Sequence, residues 1–212
     1  MTASETMHCY KPSNYEPTLE NIKIHRAIID RIRMIKPRSV LEIGSGVGLM
    51  GEMIRHLDPG IRYVGVEPDD TQIGLAKSRC PELSFVAGSL YDDPVLLCLG
   101  KFDLVISTDV IEHLFLPRSL VTFAKAHLVP GGSVITCTPD FGSYWKNVLY
   151  SLFNKWDKVH SPLWDGGHIK FFSRDSMRQI FEEAGFVDFQ WATVRNVNMP
   201  ILPMSMICVC RH

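Results

Sequence analysis

Residues Val40 to Met50 read Val-Leu-Glu-Ile-Gly-Ser-Gly-Val-Gly-Leu-Met, an apolar strand carrying an acid that turns through three glycines, Gly44, Gly46 and Gly48, into a helical pattern. Glycines at such a turn let the backbone approach a ligand that any side chain would hold off, at the start of a helix whose end favours the ligand. The loop therefore reads as the cradle of a nucleotide-like ligand. The dinucleotide spacing G-x-G-x-x-G would need a glycine where Leu49 stands, and it has no use for the acid Glu42. A carboxylate near a strand tip suits a ligand with positive charge close by.

Around this stretch, strands and helices alternate. Thr18 to Ile35 places Ile24, Ile28, Ile32 and Ile35 at helical spacing behind a capping threonine, and Lys36-Pro37 ends it. Ser39 to Ile43 is the first strand, and Leu49, Met50, Met53, Ile54 and Leu57 give the next helix an apolar stripe. Arg62 to Val66 is a second strand ending in Glu67, followed by Pro68 and by Asp69 and Asp70, which suit a helix cap. In a doubly wound sheet the carboxyl ends of neighbouring strands line one crevice, so Glu67 falls beside the glycine loop, where it could accept two ribose hydroxyls. The bland alternative for Glu67 is a solvated turn acid.

Ser84 to Ala87 is a third strand, with Gly88, Ser89 and Leu90 next along the same crevice edge. Phe102 to Ser107 is a fourth, followed by the polar cluster Thr108, Asp109, Glu112 and His113. Pro117 to Leu128 reads as a helix, Pro130-Gly131-Gly132 as a turn, and Ser133 to Thr138 as a fifth strand. Residues 139–172 interrupt the alternation with Phe141, Tyr144, Trp145, Tyr150, Phe153, Trp156 and Trp164. That aromatic insertion is either a lid over an acceptor pocket or a helix burying its rings in core. Lys146, Lys155 and Lys158 among the aromatics admit a third reading, peripheral contact with a membrane or a lipid-linked acceptor. Ser173 to Ala184 is a capped helix stopped by Gly185, and Phe186 to Val194 and Ser205 to Cys210 read as two closing strands. Met199, Met204 and Met206 either border the substrate or fill gaps in the core.

With 22 lysines and arginines against 23 aspartates and glutamates, no broad basic field exists to hold DNA or RNA, and a nucleic-acid partner is not expected. The 212 residues suit a single domain over 1–212, with residues 1–17, which include Tyr10 and Tyr15, as a tail or a flap. That segment is polar, without the apolar core of a signal peptide, and no run is long and apolar enough to span a bilayer; a cytoplasmic protein is expected. Cys9, Cys80, Cys98, Cys137, Cys208 and Cys210 form no C-x-x-C pair, which fits small buried side chains or free thiols and gives no zinc site.

The segments VLEIGSGVG, YVGVEP, FDLVISTDVIEHL and LVPGGSVITCTP follow one another as they do in the class I S-adenosylmethionine-dependent methyltransferases. Over about residues 18 to 210 the chain resembles the small-molecule branch that includes the ubiquinone-biosynthesis O-methyltransferases. The resemblance implies a Rossmann-like α/β fold with a doubly wound sheet of seven strands, a terminal antiparallel pair and the aromatic-rich insertion after strand 5. It implies that Glu42, Gly44, Ser45 and Gly46 hold the methionine end of S-adenosylmethionine, Glu67 with Pro68 beside it the ribose, Ser89 and Leu90 the adenine, and Asp109 the floor beneath the methyl donor. Where Ser89 stands the family often has an acid. The ammonium and sulfonium of that cofactor also answer the carboxylate next to the glycine loop.

Methylation of a hydroxyl needs an aligned acceptor and a base for its proton, and histidine suits that work near neutral pH. His168 and His113 are the candidates; the resemblance places a histidine just before a Lys-Phe-Phe-like segment, as His168 stands here, and each could instead be a structural brace. Asp109, Glu112, His113 and His168 would permit a divalent cation, but no run of clustered carboxylates fixes one, and no metal is expected. The expected activity is methyl transfer to a small-molecule or glycan acceptor, with S-adenosylhomocysteine as product. Ser-Thr-Asp-Val stands where an Asn-Pro-Pro-Tyr-like motif would mark exocyclic amine chemistry. Transfer to nitrogen or carbon of a small acceptor, or a partner protein that binds the cofactor without turnover, are the alternatives. The sequence carries no sign of oligomeric state.

Overall fold

The computed structural model describes residues 18–91, 98–141, 144–156, 167–197 and 202–212. Helix α1 (Leu19–Ile35) starts at Thr18, whose hydroxyl accepts the Asn21 N–H at 3.2 Å while the Asn21 side chain accepts the Thr18 N–H at 3.1 Å. It stops at Lys36, which takes the left-handed conformation just ahead of Pro37. The chain continues through β1 (Ser39–Ile43), α2 (Leu49–Leu57), β2 (Arg62–Glu67), α3 (Asp70–Arg79), β3 (Ser84–Ala87) and β4 (Phe102–Thr108). A single 3-10 turn over Ile111–His113 leads to α4 (Pro117–His127), β5 (Leu128–Pro139), α5 (Tyr144–Leu152), α6 (Arg174–Glu183), β6 (Val187–Arg195) and β7 (Pro203–Arg211). As the aspartates suggested, Asp69 caps α3, its carboxylate accepting the N–H groups of Thr71 and Gln72.

The strands form one seven-stranded sheet in the order β3-β2-β1-β4-β5-β7-β6. The first five are parallel, and β7 runs antiparallel between β5 and β6. One face is covered by α1, α2 and α3 through Ile28, Met50, Ile54 and Ile73, the other by α4 and α6 through Leu120, Val121, Met177 and Phe181. Burial on both faces explains why the central strands read as nearly continuous apolar runs. Register at the amino end of β1 and β4 is set by Asp103, whose Oδ2 accepts the N–H groups of Arg38 and Ser39 and the Ser39 hydroxyl at 2.8 to 2.9 Å. At the carboxyl end the chain leaves β1 toward β2 on one side and β4 lies on the other, so the loops after β1 and β4 diverge and open a crevice.

One local expectation changes, and one open alternative narrows. Pro130-Gly131-Gly132 is not a free turn but a bulge inside β5: the register passes from Phe102 opposite Leu128 to Leu104 opposite Ser133. Gly131, at φ 76, donates its N–H to the carbonyl of His212, and His212 donates back to Gly132, so pairing with His212 anchors the bulge. In the insertion, Trp145 is 70 % and Phe153 67 % exposed, so α5 does not bury these rings in core. Met206 is buried in the core and Met204 is partly buried against it. Cys80, Cys137, Cys208 and Cys210 are free and buried and Cys98 is free and exposed. Trp164, Lys158, Met199, Cys9, Tyr10 and Tyr15 lie outside the described residues.

Candidate functional site

The loop between β1 and α2 is folded by its glycines onto β2. The N–H groups of Gly44 and Ser45 both donate to the carbonyl of Val66, and Gly44 takes φ 75. A Cβ at Gly44 would run into the Cγ2 of Val110, so the loop after β4 closes directly on the loop after β1. Next to them stands Glu67, at the tip of β2 and only 7 % exposed. Its Oε2 accepts the Gly46 N–H at 3.0 Å and its Oε1 the Asp69 N–H at 3.2 Å. Burial raises its pKa, and these two backbone hydrogen bonds oppose the rise. Gly88 donates to the Glu67 carbonyl at 3.1 Å, which brings half-buried Ser89 and Leu90 to the same edge; Pro68 is exposed beside it.

Glu42 sits within β1 and is buried, with its carboxyl hydrogen-bonded to the hydroxyl of Tyr63 on β2. Burial pushes its pKa up to about 8, the Tyr63 hydrogen bond works against this, and the charge of Glu67 adds to it. At neutral pH it is mostly a protonated acid rather than the bare strand-tip carboxylate that the sequence pattern suggests. Sequence reasoning missed Tyr63; the alternation of side chains along adjacent strands is the signal that could have found it, since the register sets Tyr63 opposite Val40, on the face that Glu42 shares.

On the other side of the crevice, Asp109 follows β4 with φ 52, and its N–H donates to the Cys137 carbonyl on β5 at 3.0 Å. Its carboxyl is pushed up to about 7 by burial, and Oδ1 has no hydrogen-bond partner among the described residues. Glu112 is wholly buried, one oxygen accepting the Thr138 hydroxyl at 2.9 Å and the other, Oε1, without such a partner. Burial first and the neighbouring Asp109 second raise it well above the carboxylate range. The hydroxyls of Ser45, Ser107, Thr108 and Thr136 are likewise buried without partners among the described residues. Because a buried unsatisfied polar atom costs about 1 to 3 kcal/mol, a concentration of them at the carboxyl ends of β1, β4 and β5 marks a place built for a polar guest.

The segment after the aromatic insertion is tied to this cluster. The Glu112 carbonyl accepts the N–H groups of Ile169 and Lys170 at 3.0 and 2.9 Å, and His113 Nδ1 lies 3.4 Å from the Gly167 carbonyl. The rings of His113 and His168 are therefore 5.0 Å apart, with Phe141 5.8 Å from His168 and 4.7 Å from Phe171. The two candidate bases form one pair, and ligand atoms of Glu112, His113 and His168 all lie within 4.8 Å of one another, a spacing able to hold a metal ion. Elsewhere, a depression of about 410 Å³ lined by Arg33, Lys36, Arg38 and Asp58 lies at the opposite, amino end of the strands, away from these groups.

The family model described as "Methyltransferase domain" matches residues 21–190. An uncharacterized methyltransferase of Alkaliphilus oremlandii is 28 % identical over 147 residues, covering 68 % of this chain and 62 % of its own length. A ubiquinone biosynthesis O-methyltransferase of a Methylobacterium species is 32 % identical over 106 residues, 47 % of this chain and 40 % of its own. The chain thus spans less than two thirds of the length of these curated relatives. Among solved structures, the N-methyltransferase NodS of Bradyrhizobium japonicum in complex with S-adenosyl-L-homocysteine superposes with a TM-score of 0.66 at 16 % identity, over 93 % of this chain and 89 % of that one. At that identity the likeness shows the fold.

Proposed function

This chain belongs to the methyltransferase domain family, and from that premise we propose that it moves a methyl group from S-adenosylmethionine to a hydroxyl oxygen of a small-molecule or glycan acceptor. The observation that carries the reading is the meeting of His113 and His168 beside Glu112 at the crevice end of β4. The cofactor supplies a methyl group already activated on a sulfonium sulfur, leaving S-adenosylhomocysteine. Its fit rests on the groups that line the crevice. Ser45 Oγ and Asp109 Oδ1 are buried and lack partners, Glu67 keeps lone pairs beyond its two backbone bonds, and Ser89 and Leu90 share its edge. Glu42 and the Gly44–Gly46 backbone would hold the methionine end, Glu67 with Pro68 beside it the ribose, Ser89 and Leu90 the adenine, and Asp109 would lie beneath the methyl donor.

With an activated donor, the protein has mainly to align the acceptor, an effect that reaches about 7 to 11 kcal/mol when two reactants are held in register. His168 takes the hydroxyl proton as the oxygen attacks, a contribution of about 10² to 10⁴ in rate. His113, with Nδ1 toward the Gly167 carbonyl, presents Nε2 as its basic atom and orients or relays. Phe141 and Phe171, in edge-to-face contact, border the acceptor and exclude water.

A second reading is favoured by Glu112 Oε1, buried with no hydrogen-bond partner among the described residues next to two imidazoles. A divalent cation held by Glu112, His113 and His168 would satisfy that oxygen and would polarise an acceptor hydroxyl directly, with mixed nitrogen and oxygen donors suited to a first-row metal.

Calorimetry with S-adenosylmethionine, S-adenosylhomocysteine and NAD is the first test. Micromolar binding of the two sulfur ligands and none of NAD is expected, followed by turnover on hydroxylated acceptors. Absence of binding to either sulfur ligand overturns the reading. His168→Ala should lower turnover at least a hundredfold while leaving cofactor affinity within about twofold; an equally active variant returns His168 to a structural role.

A further inference from the structure

Helix α5 carries its apolar stripe outward. Trp145, Leu149 and Leu152 recur at i, i+4 and i+7 on α5, the spacing of one helical face, and Phe153 and Trp156 follow in the closing turn; the five are 70, 45, 73, 67 and 39 % exposed. A core-facing amphipathic helix would show the opposite. The turn that follows is well formed: Lys155 N–H donates to the Tyr150 carbonyl at 2.9 Å and Asn154 N–H to that of Ser151 at 3.3 Å, with Asn154 at φ 48, a Schellman ending closed by the Tyr150 and Trp156 rings at 6.3 Å. The stripe is thus a fixed feature of an ordered helix and not the by-product of a frayed end.

Three further observations choose its occupant. Lys155 is exposed where the helix closes, and residues 141–156 contain no aspartate or glutamate. The stripe has a tryptophan at each end, the residue that settles at the boundary between hydrocarbon and headgroups. Phe115 and Leu116, 77 and 62 % exposed, follow β4 at the same carboxyl end of the sheet, as α5 follows β5. A second copy of the chain would offer Lys155 no carboxylate from α5. An anionic bilayer complements both the apolar stripe and the charge.

We propose that this protein docks on anionic membrane surfaces through the outward face of α5, with Trp145, Leu149, Leu152 and Phe153 entering the headgroup boundary and Lys155 meeting lipid phosphate. Docking in this way sets the crevice mouth, at the carboxyl ends of β4 and β5, against the bilayer. On the methyltransferase reading above, and only there, the acceptor class becomes a lipid-borne or membrane-dissolved hydroxyl compound.

The test is co-sedimentation of the full chain with vesicles of phosphatidylcholine alone and with roughly a third phosphatidylglycerol. Expected are binding to the anionic vesicles, weakening as salt rises, and a fall of about tenfold in partition for Leu152→Ser/Phe153→Ser, with a smaller loss for Lys155→Glu. These positions are exposed, so the variants should retain parental S-adenosylhomocysteine binding by calorimetry, which checks their fold. Equal partition of parent and double variant overturns the proposal, as does a parent that stays in the supernatant. A concentration-dependent dimer that the double variant abolishes, without vesicle binding, also overturns it and gives the face to a second copy. Vesicle binding by a parent that binds neither sulfur ligand would defeat the cofactor reading and leave docking standing.

Discussion

The Tyr63 hydroxyl hydrogen-bonds the Glu42 carboxyl between β2 and β1, with both side chains closed off from water. Burial there raises Glu42 from 4.5 to about 8, so between those values the folded protein holds a proton that the unfolded chain has released. Stability therefore falls as pH climbs through that window and levels off above it, by an amount on the order of a few kcal/mol. Glu42→Gln should flatten this part of the profile, measured as urea midpoints between pH 5 and 8; a profile of unchanged slope would show that Glu42 titrates normally. A cationic ligand group beside Glu42 would expel the same proton. S-adenosylmethionine binding near pH 7 should release protons, visible as buffer-dependent enthalpy in calorimetry, and Glu42→Gln should release fewer.

Glu67 joins two loops through its hydrogen bonds to Gly46 and Asp69. Glu67→Ala removes the acceptor for both backbone N–H groups as well as the proposed ribose contact. Affinity for S-adenosylhomocysteine should drop about 10- to 100-fold, since a hydrogen bond to a charged group contributes roughly 1.5 to 3 kcal/mol. Unchanged affinity would remove Glu67 from the nucleoside site.

The paired histidines separate base catalysis from cation assistance. Turnover by a proton-accepting His168 survives exhaustive treatment with EDTA, whereas a cation held by Glu112, His113 and His168 is stripped and its activity restored by one divalent metal and not by others. Glu112→Gln distinguishes them again, weakening metal binding in the second case by at least tenfold.

Gly44 is held against Val110 at a positive φ, so two effects oppose any side chain there. Gly44→Ala should destabilise the protein by about 1 to 3 kcal/mol and weaken cofactor binding. Combining it with Val110→Ala relieves the collision and not the backbone strain, so stability should return only in part. Full recovery would assign the whole effect to packing.

Much of the fold is legible in the chain because its signals are local. The apolar run of β1, the glycines after it, the capping side chains of Thr18 and Asp69 and the return of an acid at Glu67 each declare themselves within a few residues. Even the nearness of Glu67 to the loop follows from pattern, since adjacent parallel strands must end side by side. The sequence shows Pro130–Gly132 as a plain turn because the pairing that anchors the bulge comes from His212, far along the chain.

What the sequence determined by itself is the order of elements, the crevice and the residues at its edge, all consequences of spacing along one strand or one helix. Three features waited for the tertiary structure. The Glu42 environment depends on Tyr63 reaching across from the neighbouring strand, and the union of His168 with His113 depends on the Glu112 carbonyl capturing the Ile169 and Lys170 N–H groups. The direction in which α5 faces was undecided as well, because a 3.6-residue period fixes that a helix has an apolar side and says nothing of what lies opposite it. The first two are contacts between segments apart in sequence and the third is set by where the helix lands on the fold, so each outcome depends on how the whole chain packs and not on any stretch of it.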